Sequence, residues 1–192
     1  MCGRYLFDCD DNELGEILMM AEAAEITETS AVKRQGFSGG EVFPGCYAPV
    51  ITSVDEARFM LWGFPCIISG KRPHINARAE TAATSKTFSA AMASRRCLVP
   101  ASGYFEWKTL GKNRKEKYGF RLPGMSPMYM AGIYSGDGRF AILTRDAAPG
   151  ILEIHNRMPV ILPKTLKGAW FGGSSGVLSE ALTDLRSCSV IN

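Results

Sequence analysis

The chain has 192 residues, 46% hydrophobic and 21% charged, which suits one folded domain and leaves too little length for two; no apolar run approaches the ~18–20 residues of a membrane helix. Six cysteines without a Cys-x-x-Cys pair and only two histidines, His74 and His155, argue against a disulfide framework and a zinc site, so neither metal nor cofactor is expected. The net charge of +3 is unevenly spread: Met1–Met60 holds 4 basic and 11 acidic residues, Lys71–Arg121 holds 12 basic and 3 acidic, and such asymmetry points to an anionic partner at one surface.

The N-terminus reads Met1-Cys2-Gly3-Arg4. Removal of Met1 before a small residue leaves Cys2 with a thiol and a free α-amine on one skeleton. Their ordinary pKa values, about 8.5 and 7.7–8.0, keep a nucleophilic fraction of each at neutral pH. The amine can condense with an aldehyde, and the thiolate can close on the imine to give a thiazolidine. An early cysteine is on position alone more often chance or a small core residue. Asp8, Asp10, Asp11 and Glu13 follow in place of a secretion signal, so a cytoplasmic protein without a membrane partner is expected.

Leu14, Ile17, Leu18 and Ala21 recur at helical spacing and predict a helix from Asp11 to about Glu25, capped by Asp10 or Asp11. Ser38-Gly39-Gly40 and Pro44-Gly45 mark loops. Strands are predicted at Tyr47–Ile51 and Ala57–Trp62, with a turn at Thr52-Ser53. Aromatics beside glycine and proline, Phe43-Pro44-Gly45 and Leu61-Trp62-Gly63-Phe64-Pro65, suit a rim where bases stack, although such rings are more often core.

Lys71–Glu80 reads as irregular or extended, followed by a short helix at Ser85–Ala93. In Ile75-Asn76-Ala77-Arg78-Ala79-Glu80 an extended backbone puts Asn76, Arg78 and Glu80 on one side. The Asn76 amide suits orienting a nucleophile and the Arg78 fork suits phosphate; a capped turn is the structural alternative.

Further strands are predicted at Cys97–Val99, Tyr104–Lys108, Tyr118–Leu122, Met128–Tyr134 and Phe140–Thr144, with turns at Gly111-Lys112-Asn113 and Gly136-Asp137-Gly138. In Gly103-Tyr104-Phe105-Glu106-Trp107-Lys108, Phe105 and Trp107 share one face and Tyr104, Glu106 and Lys108 the other. Partial burial would raise the Glu106 pKa and make it an acid–base group near neutrality; a salt-bridged glutamate is the alternative. The run Lys112–Lys117 reads as a solvated hairpin tip.

Short helices close the chain near Ala147–Glu153, Thr165–Trp170 and Leu178–Leu185. His155, before Asn156-Arg157-Met158-Pro159, lies at an element end with a pKa suited to proton shuttling, and Arg157 suits phosphate. The sum predicts a single α+β domain, residues 1–192, with an antiparallel barrel-like β core and peripheral helices.

Six segments taken in order carry a family resemblance. They are Met1-Cys2-Gly3-Arg4, Phe43-Pro44-Gly45, Leu61-Trp62-Gly63-Phe64, Ile75-Asn76-Ala77-Arg78-Ala79-Glu80-Thr81, the run from Cys97 to Trp107, and His155-Asn156-Arg157-Met158-Pro159-Val160-Ile161-Leu162. The chain resembles the SOS response-associated peptidase (SRAP) family from residue 2 to about residue 170. The resemblance implies a barrel-like mixed fold with a basic DNA cleft that shields abasic sites in single-stranded DNA by covalent cross-linking. It implies Cys2 as nucleophile, Asn76 holding its reactive end, and Glu106 and His155 moving protons. It also implies Arg4, Arg78 and Arg157 on DNA phosphates and Trp62 next to the DNA. A monomer is expected, associated with the nucleoid at damage, with possible self-processing peptidase activity. One departure is visible: many members carry asparagine where Glu41 precedes Val42-Phe43-Pro44-Gly45, and a glutamate there repels phosphate.

Two other readings remain open at the level of sequence. Class II glutamine amidotransferases also begin Met-Cys-Gly and use the N-terminal cysteine, although no Asn-Gly-Glu segment is present here. A non-catalytic single-stranded DNA-binding module is the other.

Overall fold

The computed structural model describes residues 2–27, 37–66, 71–112, 114–124 and 127–190. The first strand, β1 (Tyr5–Phe7), leads into helix α1 (Asn12–Thr27). Asp11 caps that helix, its Oδ1 accepting from the backbone N–H groups of Glu13 and Leu14 at 3.1 Å. Leu14, Ile17 and Ala21 are buried on the helix's inner face, as their spacing predicts.

Strand β2 (Gly40–Val42) pairs with β1; β3 (Tyr47–Ser53) and β4 (Glu56–Trp62) form a hairpin. Strand β5 (Asn76–Arg78) falls in the stretch predicted to be extended, and runs directly into α2 (Ala79–Ala82). Helix α3 (Ser89–Ser94) is shorter than the predicted one. Strands β6 (Arg96–Ala101), β7 (Gly103–Thr109), β8 (Lys115–Arg121), β9 (Met128–Tyr134) and β10 (Arg139–Asp146) fall on the five predicted strands; β6, β7 and β10 extend past both predicted ends, β9 coincides with its prediction, and β8 starts earlier and ends one residue sooner. The turn predicted at Gly111-Lys112-Asn113 includes Asn113, which lies outside the described residues.

Helix α4 (Pro149–Leu152), strands β11 (Arg157–Pro159) and β12 (Ile161–Leu162), helix α5 (Lys167–Phe171) and the exposed strand β13 (Arg186–Ser189) complete the chain. The helix predicted at Leu178–Leu185 is instead a 3-10 segment, Ser175–Glu180, followed by extended chain.

Strands β10, β4, β3, β6 and β9 pair in that order, and β9 pairs back onto β10, closing a ring. The pairing is antiparallel except where β10 runs parallel to β4 and to β5. A second sheet runs β13-β8-β7-β1-β2. The chain crosses from ring to sheet at Ser102, between β6 and β7. There the Ser102 N–H donates to the Leu6 carbonyl at 2.8 Å, and its hydroxyl accepts from the Asp8 N–H at 3.0 Å. Gly103 is needed at this crossing, because a Cβ would sit 2.8 Å from the Phe120 carbonyl oxygen. The core between the layers holds Trp62, Trp170, Tyr5, Tyr104, Phe120 and Phe140. No helix among the described residues is long and apolar enough to cross a membrane.

Candidate active site around Cys2

Three strands bring the N-terminus to one place. Strand β1 pairs with β7 so that Tyr5 faces Tyr104, and the Phe105 N–H donates to the Arg4 carbonyl at 2.9 Å. Carried back along β1, this register sets the chain just before Arg4 beside Glu106. From the other side, the Asn76 side-chain amide donates to the Cys2 carbonyl at 2.8 Å. Asn76 sits on β5, which is held by pairing with β10 (Ile142 opposite Asn76) and by the Trp62 indole N–H donating to the Ile75 carbonyl at 2.9 Å.

Cys2 is fully buried, and its thiol points to the Arg4 carbonyl at 3.9 Å. Burial pushes the thiol pKa up, with the Glu106 charge adding to it. At rest the sulfur is therefore a protonated thiol.

Glu106 is 3% exposed on β7. Burial raises its pKa above the usual carboxylate value, with His155 opposing. The His155 Nε2 lies 4.0 Å from Glu106 Oε2. The backbone N–H of Arg157 donates to His155 Nδ1 at 3.0 Å. An Nδ1 that accepts places the proton of a neutral ring on Nε2, on the side of Glu106. Glu106 and His155, with Trp107, Thr109 and Lys115, line an open cleft of about 420 Å³. The alternation read from sequence holds along β7: Tyr104 and Glu106 point inward, while Phe105 and Trp107 are half-exposed.

Cys2, Asn76, Glu106 and His155 thus stand together, and the chain resembles known proteins over most of its length. The family model described as SOS response associated peptidase (SRAP) matches residues 1–189. The chain belongs to the SRAP family. It is 31% identical over 180 residues to the abasic site processing protein YedK of Escherichia coli, covering 88% of this chain and 79% of that one. It is 34% identical over 121 residues to the abasic site processing protein YobE of Bacillus subtilis, covering 57% of this chain and 55% of the relative. Among solved structures, a phage-related protein of Bordetella bronchiseptica aligns with a TM-score of 0.75 at 25% identity, over 100% of this chain and 95% of the other. A protein of Bacteroides thetaiotaomicron aligns at 0.69 and 26%, over 80% and 78%. The α+β fold read from sequence is the SRAP fold.

The residues expected on DNA are placed less uniformly. Arg78 is exposed on β5 and makes no ion pair among the described residues. Arg4 sits 4.3 Å from the centre of the Phe43 ring and 5.0 Å from that of Trp107, and donates to Glu41 Oε2 at 3.1 Å. Glu41, the departure from the family pattern, is therefore not a bare charge. It also pairs with Lys117, whose ammonium stands 4.0 Å above the Phe105 ring. Burial alone would raise the Glu41 pKa, but Lys117 and Arg4 outweigh it and hold the carboxyl below its usual value.

Two expectations need correction. Trp62 is 1% exposed, stacked on Phe140 at 6.1 Å, with its N–H spent on Ile75. It faces the core, against Tyr5 of the second sheet, and supports the strand of Asn76. Arg157 is also buried. Its fork binds both Glu80 oxygens at 2.8 Å, Asp146 at 2.5 Å and the Thr144 carbonyl at 2.7 Å. The rings at the open edge are Phe43, 40% exposed, and Trp107. Only Phe43 was read as a rim residue, and the signal for Trp107 was its place on the outer face of the Glu106 strand. Lys115 and Lys117, read as part of a solvated tip, lie on β8, one lining the cleft and the other holding Glu41. No group of three metal-ligating side chains occurs among the described residues.

Proposed function

We propose that the protein captures abasic sites in single-stranded DNA covalently, through a thiazolidine built on Cys2 once Met1 is removed. The observation that carries this reading is that Asn76 holds the buried Cys2 close to Glu106, which with His155 lines an open cleft. The substrate class comes from the relatives named abasic site processing proteins.

An abasic deoxyribose opens to an aldehyde when a proton leaves its C1′ hydroxyl and another reaches the ring oxygen. Glu106, with its raised pKa, serves both transfers. The Cys2 amine adds to C1′, and loss of one water gives the imine, with the His155 Nε2 proton assisting its departure. The sulfur then bonds to C1′, the C=N pair moves to nitrogen, and the thiol proton ends on that nitrogen. Asn76 fixes the Cys2 carbonyl so that amine and thiol share one reactive geometry. Arg78 holds the phosphates, and Arg4 at the cleft edge is held back by Glu41. Arg157 acts from behind, by fastening Glu80 beside Arg78.

The family's peptidase name fits self-removal of Met1, the step that frees the amine. Comparing intact masses of wild type and Cys2→Ala tests it: self-removal predicts Met1 retained in the variant only, and an equal loss in both contradicts it.

The direct test mixes purified protein lacking Met1 with single-stranded DNA bearing one abasic site and runs a denaturing gel. A heat-stable shifted band with wild type, absent with Cys2→Ala, is expected. Equal non-covalent binding by both proteins without a band supports a plain binding module, and glutamine hydrolysis by the same sample supports the amidotransferase alternative.

A further inference from the structure

Most of the cations expected on DNA are already engaged. The Arg157 fork is filled by Glu80, Asp146 and the Thr144 carbonyl. Arg4 and Lys117 both sit on Glu41. Of the three arginines read as phosphate contacts, Arg78 on β5 is left. Yet an abasic nucleotide inside a strand carries a phosphate on each side, and each is a full negative charge.

The cleft holds a further cation. Lys115, at the start of β8, lines it together with Glu106, Trp107, Thr109 and His155, and no other lysine or arginine among the described residues does. Its place follows from register. Strands β7 and β8 pair antiparallel with Lys117 opposite Trp107 and Lys115 opposite Thr109, so Lys115 and Lys117 point to the same side of β8. Lys117 is drawn to Glu41, whereas Lys115 is exposed and makes no ion pair among the described residues. An ammonium on a flexible stem, with three donors, suits a phosphate as a point charge.

The two uncommitted cations approach Cys2 from different sides. Asn76, two residues before Arg78 on β5, reaches the Cys2 carbonyl from one side. Strand β7, with Glu106, approaches from the other, and β8 lies beyond β7 in the same sheet. A strand laid across the cleft with its abasic sugar at Cys2 therefore meets Arg78 on one flank and Lys115 on the other.

We propose that Lys115 holds the phosphate on one side of the abasic sugar while Arg78 holds the phosphate on the other, so that the pair sets the sugar over Cys2. The substrate rests on the capture reading above, but the charge contact is measured apart from it. Lys115 is a positioning residue, since it grips the backbone and not the reacting C1′.

The test pairs each cation with one phosphate. Single-stranded oligonucleotides with one abasic site carry an uncharged methylphosphonate on its 5′ side, on its 3′ side, or nowhere. Non-covalent affinity is read by fluorescence anisotropy in Cys2→Ala protein, with Lys115→Ala, Lys115→Arg or Arg78→Ala added, and adduct formation is timed on the same DNA with Cys2 intact. Lys115→Ala should weaken binding to the all-phosphate strand about tenfold, as loss of a hydrogen bond to a charged group does. It should also lower the slope of log K against log salt by about 0.7. On the strand neutralised at one flank it should cost nothing further, and Arg78→Ala nothing further at the opposite flank. Lys115→Arg should keep most of the affinity. Capture by Lys115→Ala should need about tenfold more protein for its half-maximal rate. Unchanged affinity in Lys115→Ala, equal losses on all three strands, or coupling of Lys115 and Arg78 to the same phosphate overturns the proposal. Coupling of Lys115 to one flank without any adduct from wild type would leave the contact standing and remove the capture reading.

Discussion

At the scale of single residues, Glu106 shows how function and stability oppose each other. The alternation Tyr104-Phe105-Glu106-Trp107 already indicated an inward carboxylate, and the structure puts it at 3% exposure beside His155. Burial raises its folded-state pKa above the unfolded value. The folded protein then keeps this proton at pH values where the unfolded chain has lost it, so stability falls as pH rises from the unfolded value through the folded one. Glutamine has no charge to bury. Glu106→Gln should raise thermal stability by about 1 kcal/mol at neutral pH, with the gain gone below the unfolded carboxylate value of about 4.3. It should slow adduct formation by roughly a hundredfold or more. Thermal melts across pH check the first part and gel kinetics the second; a neutral-pH loss of stability would contradict the account. Cys2, Asn76 and His155 could be singled out from residue type and neighbours.

At the scale of elements, β10 organises the site. Its C-terminal half pairs with β5, carrying Asn76 and Arg78, and with β11, which opens at Arg157 just after His155. The buried middle of β10, Phe140–Thr144, reads clearly from its apolar run. Three-residue strands such as β1, β5 and β11 do not, since they exist only through pairing partners distant in sequence. That is why Trp62 and Arg157, plausible partners of DNA in a linear reading, proved to be supports of neighbouring strands. Arg157 braces β10 and the start of α2 through a fork that Lys cannot reproduce. Arg157→Lys should therefore cost about 1–2 kcal/mol in denaturant melts despite keeping the charge. A fully stable Arg157→Lys protein with reduced DNA affinity would instead assign Arg157 to phosphate.

For the whole molecule, the uneven charge along the chain is partly cancelled in space. Glu41, from the acidic N-terminal part, sits on Arg4 and on Lys117 from the basic part. The basic excess is thereby reduced at the edge of the cleft, a relation that charge counting along the sequence cannot reveal. Glu41→Gln should release both cations. Non-covalent binding to single-stranded DNA should tighten at low salt, and the slope of log K against log salt should steepen by about 0.7 for each cation that gains a phosphate. An unchanged slope would mean that neither reaches the DNA. The barrel-like core and the peripheral helices are legible as a class, because many short strands with turn signals imply them; the second sheet is not. The crossing at Ser102 and the parallel β10 pairings, which actually assemble the site, depend on long-range register.

The central claim, a thiazolidine on the mature N-terminus, is tested most directly by mass spectrometry of the adduct with an abasic oligonucleotide, formed without reductant. The account predicts a mass equal to protein lacking Met1 plus DNA less one water, mapped to the N-terminal peptide, with Cys2 closed to iodoacetamide. An adduct on a lysine, or one with Cys2 still alkylatable, would contradict it.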